Sequence, residues 1–126
     1  MKEFASIEWG RAKRALDSAR QIAENDPDSA ASRAYYAAFH ALSAFFALRG
    51  QTFTKHTEIR SALHRDLVRP GLLDSEMGKA YDFLMDLRET GDYGGTAQVS
   101  AASARLAVDK AARFIAGVAR VSPDLG

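Results

Sequence analysis

The chain has 126 residues, which is the length of one ordinary domain, and its 47 % apolar and 26 % charged residues are typical of a globular protein. These values exclude general disorder. A run of about 18 uncharged apolar residues is absent, so the sequence predicts no membrane-spanning helix. A net charge of +1 excludes a strongly basic molecule but is compatible with a local basic patch. The chain has no cysteine, which excludes disulfides and thiolate chemistry, and it shows no secretory signal, so we expect a cytoplasmic protein.

Hydrophobic spacing and turn residues predict five helices and no strands. Alanine, the residue with the highest helix propensity, is frequent, and the three prolines fall where helices are expected to begin or end. The predicted helices cover, in chain order, about residues 4–24, 27–48, 55–68, 74–90 and 98–121. Short connections between long amphipathic helices predict an all-α, up-and-down bundle of about five helices. We expect a single domain over residues 1–126, with a frayed tail at 122–126.

The second predicted helix has the clearest boundaries and core. Asp26 is its expected N-cap and Pro27 its first residue. Its centre is apolar almost all round, which predicts a position in the middle of the bundle, with Tyr36 and Phe39 in the central core. On other helices the spacing also assigns core positions to Phe4, Ile7 and Leu106. Gly91 fits a C-cap of the fourth helix, followed by a turn at residues 92–95.

Arg33, Tyr36 and His40 are the first group of candidate functional residues. Their spacing of three and four residues puts them on one helix face, with Arg33 and His40 about 10 Å apart along the axis. Arginine binds phosphate as a bidentate fork and histidine transfers protons near neutral pH, and a metal-free ribonuclease needs both groups. The alternative is structural, with an arginine paired at the helix start and a histidine hydrogen-bonded in the core.

Arg88, Asp92 and Tyr93 are the second group. An arginine, a carboxylate and a phenol meet here at the predicted end of the fourth helix. With Arg33 and Tyr36 they make up our candidate residues for binding a nucleotide or RNA. The alternative is an ion pair between Arg88 and Asp92 across the last helical turn, with Tyr93 covering the end of the bundle.

The remaining histidines, His56 and His64, do not have the spacing of a metal site. They are eight residues apart, and the chain has neither a Glu-x-x-His nor a His-x-x-x-His pattern. His56, in the first turn of its predicted helix, is suited instead to binding an anion. Gly91, Gly94 and Gly95 match neither of the glycine-rich nucleotide-binding patterns. We therefore expect no metal and no cofactor.

The stretch from Ala31 to His40, Ala-Ser-Arg-Ala-Tyr-Tyr-Ala-Ala-Phe-His, resembles the second-helix signature of HEPN domains, in their small stand-alone bacterial and archaeal branch. Other landmarks of that branch follow in order: Gly50, then Lys55-His56 at the start of a helix, then Gly71-Leu72-Leu73. The fourth helix ends in Leu87-Arg88-Glu89-Thr90-Gly91-Asp92-Tyr93, which is similar to the branch's leucine-arginine … aspartate-tyrosine ending. The resemblance covers residues 4–114.

The resemblance implies an all-α, up-and-down bundle that is commonly a homodimer. Many HEPN proteins are ribonucleases of toxin–antitoxin and defence systems, and they often work with a minimal nucleotidyltransferase encoded beside them. Their active site has an arginine followed a few residues later by a histidine, and two copies come together there. The reaction needs no metal, because histidine and arginine assist attack of a ribose 2′-hydroxyl on the adjacent phosphate.

This sequence departs from the family pattern after Arg88. Arg88 matches the family's arginine, but Asp92 and Tyr93 stand where the histidine is expected. A carboxylate replaces an imidazole poorly, because it repels the phosphate and titrates far below neutral pH unless it is buried. Arg33 followed by His40 repeats the spacing on the second helix, so His40 is the candidate to act with Arg88 in catalysis. Tyr93 is a candidate either for packing or for a site to which a partner attaches a nucleotide.

Three hypotheses for function follow. The first is a HEPN module that binds a nucleotide, RNA or a partner nucleotidyltransferase, of toxin–antitoxin or defence type, without strong catalysis of its own. The second is a metal-independent ribonuclease toxin that uses Arg88, His40 and Arg33. The third is a purely structural or interaction bundle. We also expect a homodimer, because the apolar residues near Phe45-Phe46 and Leu84-Met85 exceed what a bundle of this size is expected to bury.

Overall fold

The computed structural model describes residues 1–125, and within that range the chain forms five α-helices and no strand. The helices are α1 (Lys2–Ile22), α2 (Pro27–Ala47), α3 (His56–Ala62), α4 (Ser75–Tyr93) and α5 (Ala101–Val121). A π-helical segment, Leu63–Val68, continues α3, and a 3-10 turn, Pro123–Leu125, follows α5. α2 packs against α1, α4 and α5, and α4 packs against α5. The predicted all-α bundle is confirmed.

α2 lies at the centre because its small side chains let the other helices approach closely. Eight of its alanines are buried, together with Tyr35, Leu42, Phe45 and Phe46. Between residues 30 and 47 the side chains that keep some exposure fall on one stripe at helical spacing. This stripe, which faces the seam with α1, consists of Ser32, Arg33, Tyr36, Phe39, His40 and Ser43. The centre of the bundle therefore reaches solvent along a single line of side chains.

Side-chain hydrogen bonds cap the starts of α2, α4 and α5. The carboxylate of Asp26 accepts the backbone N–H of Ser29 at 3.3 Å, so the predicted N-cap of α2 is confirmed. Asp74 caps α4 in the same way, at 3.2 Å from the N–H of Met77. These caps satisfy backbone donors that a helix cannot pair internally.

The predicted end of α4 is wrong, because the helix continues through Gly91 to Tyr93. A side chain at Gly91 would place its Cβ 2.8 Å from the carbonyl oxygen of Asp28, at the start of α2. The glycine is therefore explained by close packing of two helices and not by chain reversal. Gly95, with φ of +62°, takes the left-handed conformation after the helix.

The predicted core positions are partly wrong. Phe4, Ile7 and Leu106 are 41 %, 48 % and 45 % exposed. The buried face of α1 consists of Ala5, Trp9, Ala12, Leu16 and Ala19 together with the carboxylate-bearing Glu8. On α2 the central aromatic side chain is Tyr35, which is fully buried, whereas Tyr36 and Phe39 lie on the partly exposed stripe. Spacing alone did not distinguish these neighbouring helix faces.

The apolar residues on which the homodimer prediction was based are not in surplus. Phe45, Phe46, Leu84 and Met85 are all buried within one copy of the chain. That reason for a dimer is therefore wrong, and the dimer stays a prediction from the family resemblance.

The end of the chain also differs from the expected frayed tail. Ser122 is buried, residues 123–125 form the 3-10 turn, and Leu125 packs against the main core. Gly126 lies outside the described residues.

The close approach at Gly91 gives a stability prediction. We expect Gly91→Ala to lower the free energy of unfolding by about 1–3 kcal/mol, because the new methyl group meets backbone that cannot move aside. Gly10→Ala is the matched control, since its Cβ would meet only the flexible end of Arg14 at 3.2 Å. Helix propensity predicts a gain of up to about 1 kcal/mol there. Urea denaturation of both variants measures the difference, and equal effects would contradict the packing explanation.

Candidate functional site

Three depressions follow one another along the seam between α1 and α2. The largest, which we call the arginine groove, has a volume of about 470 Å³. It is lined by Arg11, Arg14 and Ala15 of α1 and by Ser32, Arg33, Tyr36 and His40 of α2. The second depression, which we call the seam cleft, lies towards the start of α1, between Phe4 and Glu8 of α1 and Phe39 of α2. The third, which we call the acidic pocket, lies towards the start of α2 and is lined by Asp26, Asp28 and Asp92 together with Ser32 and Arg33. The predicted group Arg33, Tyr36 and His40 thus opens into one groove.

The arginine groove carries positive charge that is free to meet an anion. Within residues 1–125, neither Arg14 nor Arg33 takes part in an ion pair, and both are exposed. Arg11 contributes a third guanidinium, although one of its nitrogens binds Glu8. Guanidinium groups bind phosphate oxygens well, since they offer several donors in a planar fork.

Glu8 is a buried carboxylate at the base of the seam, and both of its oxygens are paired. Oε1 lies 2.8 Å from Nη1 of Arg11, and Oε2 lies 2.5 Å from Nδ1 of His40. A carboxylate that accepts from Nδ1 keeps the proton on that nitrogen and fixes the orientation of the ring. His40 therefore presents Nε2 as its unengaged nitrogen, with 23 % of the side chain exposed.

Arg88 does not line the groove but supports it from within the bundle. Its side chain is only 11 % exposed, and Nη1 donates to the hydroxyl of Tyr36 at 3.1 Å. The guanidinium lies 5.1 Å from the ring centre of Tyr35 and 5.7 Å from that of Tyr36, within range of cation–π attraction. Because Tyr36 accepts from Arg88, its own O–H proton is left to donate to a ligand in the groove.

One polar atom of Arg88 has no partner. Its Nε is buried and makes no hydrogen bond within residues 1–125. The ion pair with Asp92 that the structural alternative expects is not formed; the carboxylate closest to Arg88 is that of Glu89, at 4.0 Å. The guanidinium is thus held by phenol rings and one hydroxyl, and not by a buried counter-charge.

His56 takes part in a partly buried chain of hydrogen bonds beside Arg88. The hydroxyl of Tyr81 donates to that of Tyr35 at 3.5 Å, and Tyr35 is 2.5 Å from Nδ1 of His56. Burial, assisted by the charge of Arg88, lowers the pKa of His56, and burial raises the pKa of both tyrosines. A neutral ring fits this position, where Nδ1 accepts from Tyr35. The predicted anion-binding role of His56 is therefore not supported.

Asp92 and Tyr93 do not line the arginine groove, but Asp92 lies beside it, since the acidic pocket shares Ser32 and Arg33 with the groove. Asp92 lines the acidic pocket with Asp26 and Asp28, where the hydroxyl of Ser32 donates to it at 3.5 Å. Tyr93 is 73 % exposed, and its ring centre lies 5.9 Å from the guanidinium of Arg88. Three carboxylates at this end of the seam repel phosphate, so an anion is favoured in the groove and not here.

Sequence reasoning missed three residues of the site: Glu8, Arg11 and Arg14. A signal for Glu8 was present, since it falls on the same helix face as the buried Ala5 and Ala12. A carboxylate on a buried helix face requires partners, and Arg11 follows at the next turn. The residue of α2 that pairs with Glu8, His40, could not be predicted from the local sequence, because the two residues meet only in the tertiary structure.

Other kinds of site find no support among the described residues. Within residues 1–125, no group of three His, Cys, Asp or Glu side chains is close enough to hold a metal ion. None of the helices in that range combines the length and apolar character needed to cross a membrane.

The helical bundle is also found in known proteins. Residues 6–121 match the family model of the HEPN domain. A UPF0332 protein of Thermotoga maritima is 33 % identical over 116 residues, which cover 91 % of this chain and 88 % of the relative. The chain belongs to the HEPN domain family, as the sequence resemblance predicted.

A solved structure supports the same fold independently. The crystal structure of TT1696 from Thermus thermophilus superimposes with a TM-score of 0.80, at 21 % sequence identity. The match covers 96 % of this chain and 99 % of that one. The arrangement of helices is therefore shared over nearly the whole length.

The lowered pKa of His56 gives a pH prediction. The unfolded chain takes up a proton near pH 6.5 while the folded chain resists it, so stability is expected to fall as the pH drops below about 6.5. His56→Gln keeps an acceptor for Tyr35 and removes the titration. Thermal melts between pH 5 and 8 should show a smaller acid loss for the variant. Parallel curves would contradict the assignment.

Proposed function

We propose that this protein is a HEPN module that binds the phosphates of RNA or a nucleotide in the arginine groove. The observation that carries the proposal is the convergence of Arg11, Arg14 and Arg33 with Tyr36 on one open depression. Phosphate contacts from arginine supply most of the affinity in nucleic-acid binding. The net charge of +1 is no obstacle, since the charge that matters is local.

Each helix contributes a distinct part of this binding site. α1 supplies Arg11 and Arg14, one turn apart on the same face. α2 supplies Arg33, and Tyr36 adds a hydroxyl donor whose position is held by Arg88. His40 adds an imidazole whose orientation is fixed by Glu8. An RNA backbone along the seam would therefore meet donors from both helices.

Binding of a short single-stranded RNA tests the proposal. We expect Arg33→Gln and Arg14→Gln each to weaken binding about tenfold, since a charge-assisted hydrogen bond contributes about 1.5–3 kcal/mol. The slope of log affinity against log salt should fall by about 0.7 for each lost phosphate contact. Fluorescence anisotropy with a labelled RNA hexamer measures both quantities.

Arg69→Gln is the matched control, because it makes the same change of charge in a different basic patch. Arg69 is exposed and lines a depression with Arg60, His64 and Arg65. We expect it to leave binding unchanged. Loss of binding in Arg69→Gln but not in Arg33→Gln would assign RNA to that other patch. No binding by the folded protein would favour a purely structural bundle.

A second candidate function is a metal-independent ribonuclease, and the pairing of Glu8 with His40 is the observation in its favour. A histidine whose Nδ1–H is held by a carboxylate can accept a proton at Nε2. In this reaction His40 would take the proton of a ribose 2′-hydroxyl as the oxygen attacks phosphorus and forms a 2′,3′-cyclic phosphate. The bond from phosphorus to the 5′-oxygen of the next nucleotide would break, and that oxygen would leave with a proton from water. Arg33 would stabilise the charge that develops on the phosphate.

RNA cleavage in the presence of a chelator distinguishes the two candidates. If the module only binds, purified wild-type protein leaves cellular RNA intact. Cleavage that is lost in both His40→Ala and Arg88→Ala would instead establish the ribonuclease, with Arg88 acting through Tyr36. Circular dichroism of each variant checks that the bundle is retained. Full activity in His40→Ala would eliminate the histidine assignment.

For partners, we propose the two that the family resemblance implies: a second copy of this chain and a minimal nucleotidyltransferase, in a toxin–antitoxin or defence system. Exposure of Tyr93 supports the second, since an enzyme that modifies a side chain must reach it. Light scattering of the purified protein tests the dimer. Mass spectrometry of the protein co-expressed with the neighbouring gene tests modification at Tyr93.

A further inference from the structure

The seam cleft has a lining different from that of the arginine groove. It is formed by Phe4 and Glu8 of α1, by Phe39 and Ser43 of α2, and by the connection to α3 at Gln51, Thr52 and Phe53. Three aromatic rings thus line a small space, together with the hydroxyls of Ser43 and Thr52 and the amide of Gln51. Such a lining suits a flat ring with polar edges, because the rings stack on its face and the rim pairs with its edge.

The size of the cleft limits what it can hold. Its volume is about 160 Å³. A cavity of about 150 Å³ with an apolar lining takes up one benzene ring, whereas sites for larger organic ligands begin at about 300 Å³. The seam cleft therefore fits a single six-membered ring better than a fused pair.

The cleft and the groove are neighbours on the same seam. Glu8 lines the cleft, and its two carboxylate oxygens bind Arg11 and His40, which line the groove. Phe4 precedes Arg11 by two helical turns, or about 10 Å along α1. The charge of Glu8 is compensated by Arg11, so it does not repel the phosphate of a strand that passes from the groove to the cleft.

From this we infer that the seam cleft takes one pyrimidine base of the RNA strand whose phosphates lie in the arginine groove. The inference rests on the proposed function and adds to it a preference for single-stranded pyrimidine RNA. Phe4 supports this choice of occupant: it is 41 % exposed at the rim, beside the positive groove, where a base attached to a phosphate would arrive. Stacking on aromatic side chains needs an unpaired base, so duplex RNA is excluded from the cleft.

Three RNA probes of equal length test the inference: a uridine hexamer, an adenosine hexamer and a hexamer of abasic ribose phosphates. We expect the uridine hexamer to bind more tightly than the abasic strand by about 5- to 150-fold, which is the effect of one stacked base. The adenosine hexamer should bind more weakly than the uridine hexamer. Free uridine monophosphate has the base but only a single phosphate, so it should compete only weakly with the uridine hexamer.

Two variants of the cleft and one control complete the experiment. Phe4→Ala removes the exposed ring, and Ser43→Leu fills the cleft from α2. Both should abolish the difference between uridine and abasic strands while leaving binding of the abasic strand intact. Ile7→Ala is the control, because Ile7 is 48 % exposed on the same helix but does not line the cleft. It should leave the difference unchanged.

Each contrary result has a distinct meaning. Equal binding of the uridine and abasic strands would overturn the base site and leave the phosphate groove standing. A preference for adenosine would overturn the assignment to a pyrimidine. Competition by uridine monophosphate at the concentration of the hexamer would overturn the assignment to a strand. Failure of all strands to bind would overturn the proposed function and the inference together.

Discussion

The enclosure of α2 by its neighbours is the constraint on which the rest of the molecule depends. Its alanines let α1, α4 and α5 pack closely, so 12 of its 21 residues are buried. Polar side chains on such a helix must find internal partners or emerge along the one stripe that stays accessible. Tyr35 finds internal partners in His56 and Tyr81. Arg33 and His40 emerge along the accessible stripe, which forms one wall of the arginine groove.

Two buried charges are accommodated in different ways, and both act on the seam. Glu8 is neutralised by Arg11 and fixes His40, whereas Arg88 is held by phenol rings and the Tyr36 hydroxyl. Leaving a buried charge without a partner is costly, so each arrangement constrains the side chain it touches. The sequence resemblance predicts that Arg88 corresponds to the family's arginine. In this chain Arg88 contacts Tyr35 and Tyr36 of α2 as well as Glu89 and Tyr93 of its own helix, and the Tyr36 hydroxyl links it to the arginine groove.

Much of the fold was predictable because its signals are local. Helical periodicity, the Asp26–Pro27 start and the apolar centre of α2 identified a bundle with α2 in the middle. The placement of Arg33, Tyr36 and His40 on one face was equally local, since it follows from helical spacing. The errors occurred where two helices meet. Gly91 was interpreted as a helix end, although it permits contact with Asp28, and Phe4 was assigned to the core although it lines the rim of a cleft.

The sequence by itself determined five helices, their approximate limits, the family and the shared face of Arg33 and His40, because these depend on residues close together in the chain. The tertiary structure alone decided that Glu8 meets His40 across 32 positions and that Arg88 meets Tyr36 across 52. It also decided which arginines of α1 turn towards α2. Such contacts depend on how two helices are rotated against each other, and helical spacing within either one leaves that rotation open.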